Sequence, residues 1–299
     1  MIKRTIEISS KAFLKVRLDQ LIIESEGGVS GSIPIEDIGV LLLNHPAITL
    51  TQAVLIKTQK NNVALVSCDD KHMPSALTLP LNKGHSLHQK VLRTQISVKK
   101  TTHNRIWKQI VQQKIEQQAK TLTLLEKNEQ PVHCLIRRVK SGDKENHEGQ
   151  AARIYWPLLF GEHFTRDPDK EGINTLLNYG YAIIRAVVSR AIVSAGLHPA
   201  IGIHHSNQYN PFCLADDIME PLRPWVDFSV YQYAQKINHL EVCRDFKTAI
   251  LTMLAEKVHF DGRAVPLMVS LQYLLKRLKD IYLGEEKSLY YPKKINKGP

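Results

Sequence analysis

Asp69-Asp70-Lys71-His72-Met73-Pro74-Ser75-Ala76-Leu77-Thr78-Leu79-Pro80 divides the sequence into two unlike parts. With prolines at 74 and 80 it reads as a linker, because proline offers no N–H to a ladder and fixes its own φ. Before it the pattern has period two. Thr5-Ile6-Glu7-Ile8 alternates, and residues 12–23 interleave Lys15, Arg17 and Asp19 with Val, Leu and Ile, as half-buried strands do. Glu26-Gly27-Gly28-Val29-Ser30-Gly31 reads as a hairpin tip. Ile33-Pro34-Ile35 leads into residues 38–43, an apolar run suited to a buried strand. Residues 50–60 have helical character, with Thr49 as cap and Asn61-Asn62 as stop, and residues 63–68 return to strand. Beyond the dividing segment the period lengthens. Residues 86–121 are rich in Gln and Lys and free of proline, which suits helices. Ser141-Gly142-Asp143 breaks the chain before a helix near Glu148, and residues 173–197 form a long apolar helix carrying Arg185 and Arg190, stopped by Gly196 and Pro199. Further helices are expected over 215–219, 241–257 and 268–281. The expected class is α+β: a small β-rich domain (1–73), a linker (74–84), a larger all-α domain (85–288) and a basic, mobile tail (289–299).

The bulk properties narrow the function. An apolar fraction of 43% with 23% charged residues is that of a globular chain, and no apolar run read from the sequence is longer than a strand. Met1-Ile2-Lys3-Arg4 leads into alternation rather than an export signal, so a cytoplasmic, membrane-free protein is expected. Cys68, Cys134, Cys213 and Cys243 lie far apart without a CxxC pair, which favours buried free thiols. A zinc site from Cys213 with His204 and His205 lacks the remaining ligands. The net charge of +11 is uneven: residues 1–84 hold 9 basic against 8 acidic residues, residues 85–299 hold 31 against 21. Between Lys90 and Lys120 eight basic residues face the single acid Glu116. Such a field attracts polyanions, although a solubilising surface has the same composition.

Two clusters carry chemistry. In His147-Glu148-Gly149-Gln150-Ala151-Ala152-Arg153-Ile154-Tyr155-Trp156, Glu148 opens a helix and shares a face with Ala152 and Tyr155. Taken alone, Glu148 also suits a helix N-terminal dipole. The zinc-protease pattern HExxH fails, because Ala151 stands where its second histidine belongs. In the second cluster, Gly202-Ile203-His204-His205 follows a helix stop, and Asp216-Asp217-Ile218-Met219-Glu220-Pro221-Leu222-Arg223-Pro224 comes next. Asp217 and Glu220 can share a helical face that Pro221 ends, leaving Glu220 at a rigid turn. Satisfied histidines and an acidic helix start are the plainer reading of this segment. A basic, polyanion-binding chain that keeps acids beside histidines nevertheless suggests a divalent ion, Mg²⁺ or Mn²⁺, between carboxylates and phosphate.

At these three stretches the sequence resembles the CRISPR-associated adaptation integrase family, the first-numbered Cas protein. The segment 147–156 is similar to its first acidic motif, 202–205 to its histidine motif and 216–224 to its second acidic motif. Their order and the β-then-α layout match along nearly the whole chain, and 202–224 is most similar to members from type II systems. The resemblance implies Glu148, His205 and Glu220 as catalytic metal ligands for Mg²⁺ or Mn²⁺. Two departures stand out. The histidine is doubled, which makes His204 a competing or supporting group, and Glu220 stands where many relatives carry aspartate. The resemblance further implies a homodimer joined through the β domain. It also implies a small companion Cas protein, two integrase dimers flanking one companion dimer, and transesterification of short foreign DNA into a CRISPR repeat. A structure-selective metal-dependent nuclease and a non-catalytic DNA-binding scaffold are the competing readings.

Charge and position nominate further residues. Arg223, set by Pro221 and Pro224, is a candidate phosphate contact, with a salt bridge to Asp217 or Asp227 as the plainer alternative. Asn207 and Tyr209 are candidates for a DNA strand end, and Asp217 for support behind the ligands. Lys99, Lys100, Arg105 and Lys108 are candidates for tracking DNA away from the catalytic centre.

Overall fold

A computed structural model describes residues 4–80, 87–237 and 240–294 of the chain. The alternating start folds as β1 (Arg4–Ile8), β2 (Ala12–Arg17), β3 (Gln20–Ser25) and β4 (Gly28–Pro34). A two-residue turn joins β2 to β3, and both its residues, Leu18 (φ 49°) and Asp19 (φ 59°), are left-handed. That conformation matches the twist of a tight hairpin. Next come β5 (Ile38–Leu43), β6 (Ile48–Leu50), α1 (Gln52–Lys60), β7 (Ala64–Cys68) and β8 (Pro74–Thr78). Two four-stranded sheets result, ordered β1-β5-β7-β8 and β4-β3-β2-β6.

β5 runs parallel to both β1 and β7, and it is apolar throughout because both its faces are covered. Ile38 and Leu41 join Leu14, Leu21, Val54 and Leu65 in a core between the two sheets. Val40 and Leu42, with Ala64 and Val66 of β7, face the other way into the large helical core. The strand-rich part is therefore packed onto the helices through its central strands. Lys247 adds an ion pair to Glu7 across this boundary, at 3.3 Å.

The helical part comprises α2 (His88–Ser97), α3 (Lys100–Leu124), α4 (Gln130–His133), α5 (His147–Phe160), α6 (Ile173–Ser194), α7 (Cys213–Met219), α8 (Arg223–Ala234), α9 (Arg244–Ala255) and α10 (Leu267–Tyr282). Residues 220–222 form a 3-10 turn between α7 and α8. A three-stranded sheet of β9 (Lys257–Phe260), β10 (Arg263–Pro266) and β11 (Lys293–Lys294) sits beside α10. α6 is the central rod, buried along most of its length. Gly180 lets α8 approach it, since a Cβ there would overlap Val226.

Five expectations need correction. The larger domain is mostly helical rather than all-α, since β9 and β10 lie between its helices. Pro74–Thr78 are not linker: they pair with β7 as an antiparallel edge strand that proline can open; residues 81–84 lie outside the described residues. The tail is anchored through residue 294, because Leu289 and Tyr291 are buried and β11 pairs with β9; residues 295–299 lie outside the description. α6 is long and apolar enough to cross a bilayer by length and composition, contrary to the sequence reading, yet 83% of its apolar window is buried in the protein core. All four cysteines are unpaired, but Cys134 and Cys243 are exposed rather than buried.

Candidate active site

Three elements supply the site. α5 begins at a doubly capped turn: Asp143 accepts the backbone N–H groups of His147 and Glu148, each at 3.0 Å, and Asn146 Oδ1 accepts that of Gly149. Side-chain oxygens thus satisfy the helix's first donors and fix the direction in which Glu148 leaves it. Glu220 sits in the 3-10 turn that Pro221 imposes between α7 and α8, with 6% of its side chain exposed. Between these two acids, α3 extends Lys114. Its Nζ lies 2.6 Å from Glu148 Oε1 and 2.6 Å from Glu220 Oε2. The sequence reading missed this residue.

Arg223 donates from Nε to Glu220 Oε1 at 2.9 Å, and its guanidinium lies over the Tyr181 ring, 4.6 Å from the centroid. Its ion-pair partner is therefore Glu220, not Asp217 or Asp227. Burial alone would raise the Glu220 carboxyl, but Arg223 and then Lys114 outweigh it and hold the group down to about 2. Burial would likewise lower the Lys114 ammonium, and the two carboxylates more than offset this. Glu220 Oε2 meets the Lys114 ammonium as a close ion pair, off the preferred hydrogen-bond angles.

The histidine loop is organised from α7. Asp217, fully buried, accepts the N–H groups of Ile203 (2.6 Å), His204 (3.0 Å) and His205 (3.2 Å). Its Oδ1 also lies 2.6 Å from His205 Nδ1. A carboxylate there needs a donor, so in the neutral imidazole Nδ1 carries the proton and Nε2 keeps its lone pair. This bond is also the first reason the His205 pKa is raised. Gly202 is required where it stands, since a Cβ would overlap the His205 carbonyl and crowd Asp217 Oδ2 at 2.9 Å. His204 lies flat on Trp107, at 4.2 Å between centroids and 1° between planes, while His205 meets the same indole edge-on at 5.9 Å. Burial lowers the pKa of His204. Gln95 clamps the approach to the loop, accepting from His198 N at 2.8 Å and donating to the carbonyls of His198 and Ile201.

Glu148 and Glu220 both act electrostatically on the His205 imidazole. Among the described residues, however, no three His, Cys, Asp or Glu side chains form a ready-made coordination group. The chemistry of the donor set still fits a divalent ion. Two carboxylates converge on one cation, and both lie within electrostatic reach of the His205 imidazole. Cys213 has no part in it; its Sγ contacts the carbonyls of Asn207 and Asn210.

The remaining nominated residues divide. Lys99, Lys100 and Arg105 are exposed and Lys108 is half-buried. Burial first, and Lys100 secondarily, lower the pKa values of His103 and His204, so Lys100 lies within electrostatic reach of the histidine loop. The cause is α3 itself, which carries Lys100, Trp107 and Lys114 on one rod. Tyr209 is 84% exposed, and the Asn207 side chain accepts from Tyr209 N to close its own turn. Tyr155, placed with Glu148 by sequence, instead donates to buried Asp227 at 3.0 Å, as does Tyr181.

Burial raises Asp227 to about 7 against the pull of the Tyr181 and Tyr155 hydroxyls, Arg223 and Lys114. A folded-state pKa above the unfolded value of 3.8 stabilises the fold at low pH, and that contribution is lost as pH rises through 7. Melting temperatures of wild type and Asp227→Asn, measured from pH 4 to 8, should show a wild-type advantage that shrinks with rising pH. A pH-independent difference would remove this assignment.

A family model for CRISPR associated protein Cas1 matches residues 7–249. The chain belongs to the Cas1 family. A CRISPR-associated endonuclease Cas1 from Neisseria meningitidis serogroup C (strain 8013) is 34% identical over 276 residues, covering 89% of this chain and 90% of that protein. Among solved structures, a casposase bound to integration product superposes with a TM-score of 0.79 at 19% identity, over 97% of this chain and 92% of that one. The chain of a Cas6-RT-Cas1–Cas2 complex gives a TM-score of 0.73 at 20% identity, over 98% of this chain and 36% of the longer one. At such identities the two structures establish the shared fold. In this chain the fold brings Glu148, Glu220 and His204 against α3.

Proposed function

We propose that this Cas1 protein is a divalent-metal-dependent DNA integrase of CRISPR adaptation, with DNA endonuclease activity from the same centre. The observation that carries the reading is the meeting of Glu148 and Glu220 on one cation, within electrostatic reach of His205. Mg²⁺ or Mn²⁺ held by Glu148, His205 and Glu220 would polarise a phosphodiester oxygen and stabilise charge in the transition state. His205, oriented by Asp217, offers Nε2. Arg223 holds Glu220 in place and offers its remaining N–H groups to a phosphate. The exposed basic turn at Lys99, Lys100 and Arg105, with Lys108, positions the DNA backbone; Asn207 and Tyr209 lie on the loop facing the strand end.

The reaction balances without an energy source. A fragment's 3′-hydroxyl gives up its proton as its oxygen forms a bond to phosphorus at the repeat edge, the bond from that phosphorus to the target strand's own 3′-oxygen breaks, and the leaving oxygen takes up a proton. The partners proposed are DNA, a second copy of this chain and a small Cas2-type companion, assembled as two integrase dimers around one companion dimer in the cytoplasm. Support comes from the family assignment and from the fold shared with a casposase bound to integration product and with a Cas1–Cas2 assembly.

Incubating the protein and its companion with a free 3′-hydroxyl fragment, a supercoiled repeat-bearing plasmid and Mn²⁺ tests this. Joined product is expected; hydrolysis alone would favour a structure-selective nuclease, and binding without either would favour a scaffold. A Lys99/Lys100/Arg105/Lys108 quadruple alanine variant should bind DNA with a flatter dependence on log salt, by about 0.9 for each phosphate that is no longer neutralised. An unchanged slope would exclude these four from the DNA path.

A further inference from the structure

We propose that Lys114 is a built-in counter-ion that occupies the cation position of the site and must leave it before a divalent ion can bind. The inference rests on the metal-site reading above and concerns how that site is loaded. Its basis is geometric. One ammonium, with 11% of its side chain exposed, lies at 2.6 Å from an oxygen of each proposed carboxylate ligand. Two carboxylates facing one another without a cation repel, and one of them would then tend to hold a proton. Lys114 prevents this from the middle of α3, a helix anchored on both sides of it by buried Ile110, Val111, Ile115 and Ala119. The ammonium is therefore delivered by a rigid element rather than by a flexible loop.

The approach to Glu220 is the informative one. Nζ reaches Oε2 at 2.6 Å but off the preferred hydrogen-bond angles, so charge more than bond direction holds this contact. An oxygen in that state suits a spherical cation, which needs no donor direction. Arg223 already satisfies Glu220 Oε1, through a bond that does not involve Lys114. The two basic residues thus have separate tasks: Arg223 fixes the carboxylate, and Lys114 holds the place of the ion. A divalent ion with oxygen ligands at about 2.0–2.2 Å cannot share these oxygens with an ammonium. Lys114 keeps its charge when displaced, and the anion that the reaction brings to the same space is a phosphodiester.

The test is Mn²⁺ binding to the purified full-length protein without DNA, followed by titration calorimetry and by the loss of the free-ion electron paramagnetic signal. Lys114→Met keeps the aliphatic stem and removes the competing charge. It is expected to tighten Mn²⁺ binding on the order of tenfold, as loss of one close like charge from a partly buried site should. It should also lower the melting temperature of the metal-free protein and enlarge the rise in melting temperature that Mn²⁺ produces. Equal or weaker Mn²⁺ binding by Lys114→Met would overturn the proposal. Glu148→Gln separates this from failure of the underlying reading. If Glu148→Gln abolishes binding while Lys114→Met binds as wild type does, only the counter-ion role falls. If Glu148→Gln binds as tightly as wild type, the metal site and the counter-ion fall together. Should Lys114→Met fail to fold, mass-mapped acetylation of wild-type lysines keeps the question open to measurement. Lys114 should become several-fold more reactive when Mn²⁺ is added, and unchanged protection would refute its displacement.

Discussion

Glu148→Ala is expected to lower DNA joining and cleavage by about a thousandfold or more, because a bound ion contributes several kcal/mol to the transition state and each ~1.4 kcal/mol is tenfold in rate. DNA binding should persist or tighten slightly, since an acid is removed from a phosphate site. The fold should survive as well. Glu148 is one-quarter exposed, its helix start is capped by Asp143 and Asn146, and Lys114 keeps Glu220 as a partner after the change. The plainer role for Glu148, an acid favouring a helix dipole, would affect stability by only about 0.3–1 kcal/mol and leave joining intact. Parallel measurement of joining, binding and melting therefore separates the two roles. A variant that joins DNA as wild type does would move the chemistry elsewhere.

How far the sequence disclosed this arrangement depended on whether a feature is local. The change from period two to helical spacing is local, and it gave the α+β layout correctly. The apolar run of β5 was legible as a buried strand, but its double-sided burial required knowing that helices cover the second face. Pro74 misled, because a proline reads as a breaker until its strand is seen to be an edge. The lysines near the C-terminus misled in the same way, masking the anchors Leu289 and Tyr291. Within the candidate site, the acids and histidines were nominated from clustering and from resemblance. Lys114 was not, for a lysine among Gln and Lys on a long helix has the pattern of a surface residue. Only the approach of α5 and of the 220–222 turn to α3 buries it. Trp107 and Gln95 were hidden for the same reason: their partners lie about a hundred residues away in the chain.

Asp217→Asn should lower Mn²⁺ affinity and joining by roughly 10–100-fold, the usual effect of losing the group that orients a histidine ligand. The reason lies in the number of acceptors. Asp217 serves four donors: Oδ2 takes Ile203 N and His204 N, while Oδ1 takes His205 N and His205 Nδ1. An asparagine has one oxygen, and its amide group faces donors whichever way it is turned. Turned toward the backbone, it leaves the N–H groups of Ile203 and His204 without an acceptor, at about 1–3 kcal/mol for each buried group. Turned toward His205, it drives the imidazole to accept at Nδ1 and carry its proton on Nε2, which removes the lone pair offered to the ion. Both outcomes weaken the proposed site while leaving all three side chains in place. Higher Mn²⁺ should therefore restore part of the activity of Asp217→Asn and none of that of Glu148→Ala. Wild-type Mn²⁺ affinity in Asp217→Asn would show that the loop holds His205 by other means.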